Sequence, residues 1–275
     1  MAYSNTQLTI LFEDADLLVI NKPAGITVNN SQTTRGESTV QDLVEEYLQL
    51  DRVKASEAPP VEEKNSEEID TSDTSDTSDT FNTASAFSDR AGIVHRIDKE
   101  TSGILLIAKN EKAFANLQAQ FKAREVHKVY IALAHGRVAP QKGEINVPVG
   151  RLPWNRRQFG IVAGGRESVT FYEVSGYFRT DDKRKEVVTM VKLKPITGRT
   201  HQIRVHLQYL GFPIFSDFLY AGRKTQREDR KLLERVFLHA REISFLHPTT
   251  NERLEMEAPL PDELQKVMDH LVPIV

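Results

Sequence analysis

The order of apolar and polar residues predicts short strands, turns and amphipathic helices. Apolar runs of three to five residues that are rich in β-branched side chains are typical of buried strands rather than helices. Such runs occur at Leu8–Phe12, Leu17–Ile20, Gly92–Val94 and Ile104–Ala108. The segment 128–133 alternates with a period of two, which predicts a strand with Val129 on the core face and Tyr130 on the opposite face. There Tyr130 is either available to a ligand or, as the residues alone favour, part of a core on the second face.

A period of 3.6 residues predicts amphipathic helices. Ser38 begins a Ser-x-x-Gln capping box before one of them, and Asn110 is suited to cap another that extends to Lys122. Near position 200, a strand ends at a Pro-x-x-Gly turn and Thr200 is suited to cap the next helix. A last helix is predicted from the apolar residues Leu264, Val267, Met268 and Leu271.

The segment 55–88 differs in composition from the rest of the chain. It contains Pro59-Pro60, many acidic residues and a Thr-Ser-Asp repeat between 71 and 80. A segment with few apolar residues and high negative charge cannot bury enough apolar surface to offset the conformational entropy lost on ordering. We therefore expect a disordered acidic insertion within a single catalytic domain that spans 1–275. A surface insertion without its own role is favoured over an acidic arm that mimics RNA or recruits a partner.

Charge and cysteine content narrow the classes of function. Residues 51–90 carry eleven acidic and four basic residues, so the remainder has a net charge of +4 although the whole chain is at −3. A mildly basic folded part permits phosphate binding. The absence of cysteine excludes disulfides and thiolate metal sites. The sequence contains no recognisable signal peptide and no apolar run long enough to span a membrane. We therefore expect a cytoplasmic protein that does not enter membranes.

Asp98 is the first candidate for chemistry, because it follows a buried run and lies next to Arg96 and Lys99. Nearby positive charge keeps a carboxyl group ionised. An ionised Asp on a loop can be a nucleophile, a base or a salt-bridge partner. Lys22, in the turn Asn-Lys-Pro-Ala-Gly, reads as a solvated turn lysine without chemistry.

A basic and aromatic segment forms the second candidate. Gly164-Gly165 predicts a turn between the strands Phe159–Ala163 and Ser168–Val174, and therefore a hairpin. Basic residues and one tryptophan precede or enter it: Arg151, Trp154, Arg156 and Arg157. Such side chains suit phosphates and unstacked bases, whereas the alternative is a solvated, charged strand pair.

A metal site is not expected. His201 and His206 are five residues apart, so they diverge by roughly 140° around a helix, and the sequence offers no third ligand.

The string His95-Arg-Ile-Asp-Lys-Glu-Thr-Ser-Gly103 resembles the His-Arg-Leu-Asp-x-x-Thr-Ser-Gly signature of the RluA-type pseudouridine synthases. Three further segments resemble motifs of that family, namely Leu17–Gly25, Lys128–Leu133 and Pro195–Leu207. The resemblance extends from about Leu8 to Leu264 without the acidic insertion. One departure is Ser216, which stands where relatives usually have Gly in Gly-Asp-x-x-Tyr and implies a slightly altered turn.

The resemblance implies an α+β fold, with a mixed, largely antiparallel sheet, flanking helices and a central cleft. It implies isomerisation of specific uridines in structured RNA to pseudouridine, a redox-neutral reaction that needs no cofactor. Many relatives carry an N-terminal S4-like domain, and none is expected here. The expected partner is an rRNA or tRNA stem-loop, bound by a monomer.

The family roles transfer to three residues of this chain. Asp98 aligns with the catalytic Asp, the expected nucleophile towards the uracil ring or the ribose C1′. Arg199 takes the role of the arginine that pairs with it, and Tyr130 that of the tyrosine beside the target base, where it could help remove the C5 proton. Arg96 could fill the space that the flipped base vacates. Two alternatives stay open: an RNA-binding or folding factor without turnover, and a hydrolase of N-glycosidic bonds.

Overall fold

The structure is a computed structural model that describes residues 8–31, 34, 36–50, 83–181 and 185–274. Residues 55–82, which are most of the acidic insertion predicted over 55–88, lie outside the described residues. The strands are β1 (Ile10–Glu13), β2 (Leu17–Lys22), β3 (Ser102–Ala108), β4 (His127–His135), β5 (Lys142–Asn146), β6 (Val149–Leu152), β7 (Asn155–Ile161), β8 (Val169–Thr180), β9 (Val187–Pro195), β10 (Leu238–Leu246), β11 (Arg253–Glu257) and β12 (Leu271–Ile274). The helices are α1 (Val40–Leu48), α2 (Thr83–Asp89), α3 (Glu111–Lys122), α4 (Gln202–Tyr209), α5 (Arg223–Asp229) and α6 (Asp262–Asp269).

A ten-stranded mixed sheet organises the described part of the chain. Its main order is β1-β2-β3-β10-β4-β9-β8-β12, with β11 paired to β10 and β5 paired to β8. Strand β10 lies between β3 and β4, parallel to β3 and antiparallel to β4. The other strand pairs that we resolve are antiparallel. The predicted α+β class with a mixed, largely antiparallel sheet is confirmed. The prediction of one domain over 1–275 stays a prediction.

Both faces of the sheet are covered around β3, whose residues are all buried. Leu105 and Ile107 point into a core shared with α1 and α4, whereas Ile104 and Leu106 point into a second core closed by α3. This arrangement follows from the alternation of side chains along a strand. Phe114 and Leu117 of α3 are completely buried in that second core.

Two predicted boundaries differ from the structure. The capping box of α1 is Thr39 with Asp42, one residue later than predicted from Ser38, whereas Asn110 caps α3 as predicted. Helix α2 occupies 83–89 and therefore falls partly within the predicted disordered insertion. It is ordered because Phe87 is buried edge-on against Phe114, with ring centroids 5.9 Å apart.

The predicted hairpin is wrong in its pairing. Gly164 does adopt a left-handed turn, at φ +77°. The strands that it separates belong to different sheets, because β7 pairs with β6 in a two-stranded sheet and β8 pairs with β5 and β9. The basic hairpin is therefore β6–β7, with Pro153 and Trp154 at its tip. Among the described residues, no helix is both long and apolar enough to cross a membrane.

Candidate active site

The loop between Ile93 and β3 carries Asp98 and is held by the N-terminal part of the chain. The carbonyl of Lys99 accepts hydrogen bonds from the backbone amide of Gly25 at 2.7 Å and from Lys22 Nζ at 3.2 Å. Lys22 also donates to the carbonyls of Pro23 and Ile26. It is fully buried, contrary to the prediction of a solvated lysine. Burial lowers the pKa of Lys22 to about 7.

The C-terminal part of the chain holds the other side of the same loop. Arg230 Nη2 donates to both carboxylate oxygens of Glu100 at 3.0 and 3.2 Å. Arg235 donates to the Glu100 carbonyl at 3.3 Å and to Ser102 Oγ at 3.0 Å. Two distant segments of the chain therefore determine where Asp98 lies.

The Asp98 carboxylate lies beside basic groups and remains 21% exposed. Its Oδ2 is 3.3 Å from Arg204 Nη1 and 3.9 Å from His201 Nε2. Burial by itself would raise the pKa of Asp98, but His201, Arg204 and Arg96 outweigh it and bring the pKa below its ordinary value. Asp98 is therefore ionised at neutral pH, as the sequence predicted.

Arg204 is held in place by a second carboxylate. Its Nε and Nη2 donate to Asp217 at 2.7 and 2.8 Å. Asp217 is completely buried and also accepts the backbone amides of Leu219 and Tyr220. This bidentate geometry leaves Nη1 of Arg204 directed at Asp98. One guanidinium thus joins a structural carboxylate to the candidate nucleophile.

The contact predicted for Arg199 is made by Arg204. Arg199 lies in the turn between β9 and α4, where its Nε donates to the carbonyl of Glu167 at 3.2 Å. Helix α4 begins at Gln202, not at a Thr200 cap, because His201 adopts a left-handed conformation with φ 56°. This start places His201 and Arg204, three residues apart, on one face towards Asp98. That spacing of three residues is the signal in the sequence that indicates this pair.

Tyr130 lies in β4, paired with Leu193 of β9 and Ala240 of β10. Tyr130 and Ala132 point into the core, as favoured for Tyr130, whereas Val129, which the alternation placed on the core face, is only partly buried. Burial, followed by the charge on Asp98, raises the pKa of Tyr130 well above its ordinary value. The phenol therefore stays protonated, near enough to Asp98 to sense its charge.

Arg96, Arg151 and Arg157 are the remaining predicted arginines whose side chains the structure describes. Arg96 is exposed and Arg151 lies 5.2 Å over the ring of Phe159. Arg157 is exposed, and the side chain of Arg156 lies outside the described residues. Trp154 at the hairpin tip is 79% exposed.

Within the ranges that the structure describes, no group of three or more His, Cys, Asp or Glu could hold a metal ion. His206 is buried and bonded to Thr170 Oγ1 and the Val147 carbonyl.

Ser216 adopts φ 60°, so this position does require the left-handed backbone expected of a glycine. Its amide donates to Asp229 and its hydroxyl donates to the Leu233 carbonyl.

Comparison with known proteins gives the class to which this fold and site belong. Residues 16–209 match the family model described as RNA pseudouridylate synthase. A Bacillus subtilis protein titled "Uncharacterized RNA pseudouridine synthase YlyB" is 33% identical over 264 residues, which are 96% of this chain and 73% of that protein. The "Ribosomal large subunit pseudouridine synthase D" of Pseudomonas aeruginosa is 32% identical over 265 residues, or 94% and 69% of the two chains.

A solved structure agrees with this class. "Human RNA Pseudouridylate Synthase Domain Containing 1" superposes with a TM-score of 0.67 and 25% identity, over 100% of this chain and 92% of that one. The chain belongs to the RNA pseudouridylate synthase family. It is an RNA pseudouridine synthase, an isomerase whose substrate is RNA.

Proposed function

We propose that this synthase isomerises specific uridines in an rRNA or tRNA stem-loop, with Asp98 as its nucleophile. The observation that carries this assignment is the ionised, partly exposed carboxylate of Asp98 in contact with Arg204. In the reaction the N1–C1′ bond breaks, the uracil turns and a C5–C1′ bond forms. C5 loses a proton and N1 gains one, so atoms and electrons balance without a cofactor. Covalent capture at the uracil ring or C1′ divides this change into easier steps.

Arg204 takes the role that the sequence suggested for Arg199. It keeps Asp98 ionised and orients the attacking oxygen through a charge-assisted hydrogen bond. Because Asp217 holds the same guanidinium by two further bonds, Arg204 is preorganised before RNA binds.

Tyr130 packs its ring against the extruded uracil. Its raised pKa disfavours the phenolate, so in the resting enzyme it is a neutral packing group and not the base that removes the C5 proton. Arg96, exposed beside Asp98, is placed to fill the space that the base leaves in the RNA.

The hairpin β6–β7 supplies RNA contacts away from the reaction centre. Arg151, Arg156 and Arg157 provide charge for phosphates, and the exposed Trp154 provides a surface on which an unpaired base can stack. An unpaired loop nucleotide is the easiest to extrude, which favours a stem-loop target. The ribosomal name of the Pseudomonas relative is compatible with an rRNA target. We further propose a cytoplasmic monomer.

Mapping of pseudouridines in total rRNA and tRNA, with and without the gene, identifies the target. We expect one or a few positions to lose the modification in the deletion strain and to regain it when the wild-type gene is restored. The Asp98→Asn variant should fail to restore them. An unchanged map across both RNA classes would contradict the proposed substrate.

The chemistry is tested with C5-tritiated target RNA. The wild-type enzyme should release tritium, and Asp98→Asn should abolish release while RNA binding persists. A factor that only binds or folds RNA would release no tritium. A hydrolase would yield free uracil and abasic RNA, which mass spectrometry separates from pseudouridine.

A further inference from the structure

A chain of polar contacts connects the basic hairpin to Asp98. The backbone amide of Phe159 in β7 donates to the Tyr220 hydroxyl at 3.0 Å. That hydroxyl lies 2.8 Å from His201 Nδ1. The other ring nitrogen, His201 Nε2, lies 3.9 Å from Asp98 Oδ2.

The hydrogen positions in this chain follow from counting donors and acceptors. The Tyr220 oxygen already accepts the Phe159 amide, so its own proton is free to be donated to His201 Nδ1. His201 then carries its proton on Nε2, directed towards the Asp98 carboxylate. The opposite tautomer would leave the Tyr220 proton without an acceptor in this contact chain and turn a lone pair towards a negative charge.

Packing keeps His201 in this position and in its neutral form. Its ring meets those of Phe159 and Tyr220 edge-on, each with centroids 5.6 Å apart. Burial lowers the pKa of His201, and Arg204 acts in the same direction, so that their effect outweighs the opposing charge of Asp98. A neutral ring can hold the tautomer that Tyr220 selects, because a doubly protonated ring would donate from both nitrogens.

Building on the proposed function, we propose that His201 is a positioning residue for Asp98. Its Nε2–H orients the nucleophilic carboxylate, and Tyr220 sets the tautomer that makes this possible. Because Tyr220 is itself held by the Phe159 amide, the hairpin is connected to Asp98 through these contacts. A second contact supports this link, since Gln158 Nε2 of the hairpin donates to the Leu219 carbonyl at 2.6 Å.

Several titratable or charged groups surround this pair and enter any pH dependence. Asp98 is influenced by Arg96, Arg204, His201, Lys22 and Tyr130, and His201 is influenced by Asp98, Arg204, Asp217 and Arg96. Arg204 stays charged over the working range, and Asp98 is the group whose ionisation the reaction requires.

Two substitutions separate a positioning role from simple packing. Gln at position 201 can place an amide N–H near the position of Nε2, whereas Asn reaches only the position of Nδ1. We expect His201→Asn to lower the single-turnover rate by about tenfold, because it removes the N–H that faces the Asp98 carboxylate at 3.9 Å. His201→Gln should stay within about threefold of wild type, and both variants should bind target RNA with unchanged Kd.

The pH profile gives a second readout. Imidazolium charge at His201 is one cause of the lowered pKa of Asp98, so its removal should move the acidic limb of the rate profile to higher pH in both His201→Asn and His201→Gln. Tyr220→Phe keeps the imidazole, so the limb should stay in place while the rate at neutral pH falls because the tautomer is no longer selected. Equal rates at neutral pH for the Asn and Gln variants would overturn the proposal.

The tautomer itself can be observed in the wild-type protein by ¹⁵N-histidine NMR, with His201→Asn used to assign the signal. We expect protonated Nε2 and unprotonated Nδ1, and a mixture in Tyr220→Phe. Protonation at Nδ1 in the wild type would refute the inference even if the variants fail to fold. Failure of the wider proposed function is distinguishable, because it would appear as tritium release that survives Asp98→Asn.

Discussion

Replacing Arg204 by lysine preserves the charge but removes the fork that joins two carboxylates. Arg204 uses Nε and Nη2 for Asp217 and Nη1 for Asp98. A lysine ammonium is a point donor that cannot reproduce this planar arrangement. We expect it to stay with Asp217, because leaving a completely buried carboxylate unpaired costs more than leaving the partly exposed Asp98 unpaired.

The expected loss of rate follows from the hydrogen bond between Arg204 and Asp98 that the substitution removes. A hydrogen bond to a charged group contributes about 1.5–3 kcal/mol, and the 3.3 Å separation from Asp98 places this one at the weaker end. A loss of about 1.5–2 kcal/mol in the transition state slows the reaction by about 10- to 30-fold. Because the hydrogen bond from Arg204 is one cause of the lowered pKa of Asp98, losing that bond raises the pKa, and the acidic limb of the rate profile moves to higher pH.

Single-turnover tritium release from C5-labelled target RNA, measured across a pH series, tests this expectation. Arg199→Lys is the matched control, since the same substitution is made five residues earlier in the same motif. We expect the control to stay within about threefold of wild type. Full activity in Arg204→Lys together with a large loss in Arg199→Lys would refute the transfer of the role between the two arginines.

Further substitutions test the supports around the site. Asp217→Asn should lower the free energy of unfolding by about 3–5 kcal/mol in urea titration, since it breaks a buried ion pair; a loss below about 1 kcal/mol would contradict it. Lys22→Met leaves buried carbonyls unpaired and should cost about 1–3 kcal/mol as well as slowing tritium release, and an unaffected rate would show that the loop does not depend on it. Trp154→Ala should weaken RNA binding in a filter assay by about 1–3 kcal/mol with unchanged stability, whereas unchanged affinity would remove Trp154 from the RNA surface. Phe87→Ala should destabilise by about 3–5 kcal/mol and leave the rate of the folded enzyme unchanged, and native-like stability would mean that α2 does not contribute to the core.

Local patterns predicted those elements whose cause is local. The buried runs became β2 and β3, and Asn110 caps α3, because a strand between two covered faces and a capped helix are encoded in neighbouring residues. Strand pairing was not predictable in the same way. The Gly164-Gly165 turn exists, yet the chain on its two sides joins different sheets, and that choice depends on distant partners.

In the active site, too, some residues were predictable from local sequence and others depend on distant parts of the chain. Asp98 and Tyr130 lie in compact motifs, and the structure brings them close together. The choice between Arg199 and Arg204 depends on where α4 begins and on Asp217, thirteen residues beyond Arg204. Neither is visible in the spacing of the motif, since a helix start shifted by one or two residues turns a different side chain towards the cleft.

The central place of β10 bears on how the protein can be divided for study. The family match ends at residue 209, and a recombinant fragment cut there would retain Asp98, Tyr130 and Arg204. It would lack the strand between β3 and β4 and would leave two long hydrophobic sheet edges open to other molecules. Such a fragment should aggregate rather than act as a minimal enzyme. The shortest useful truncation must therefore keep the residues through β10, even though they contribute none of the reacting groups.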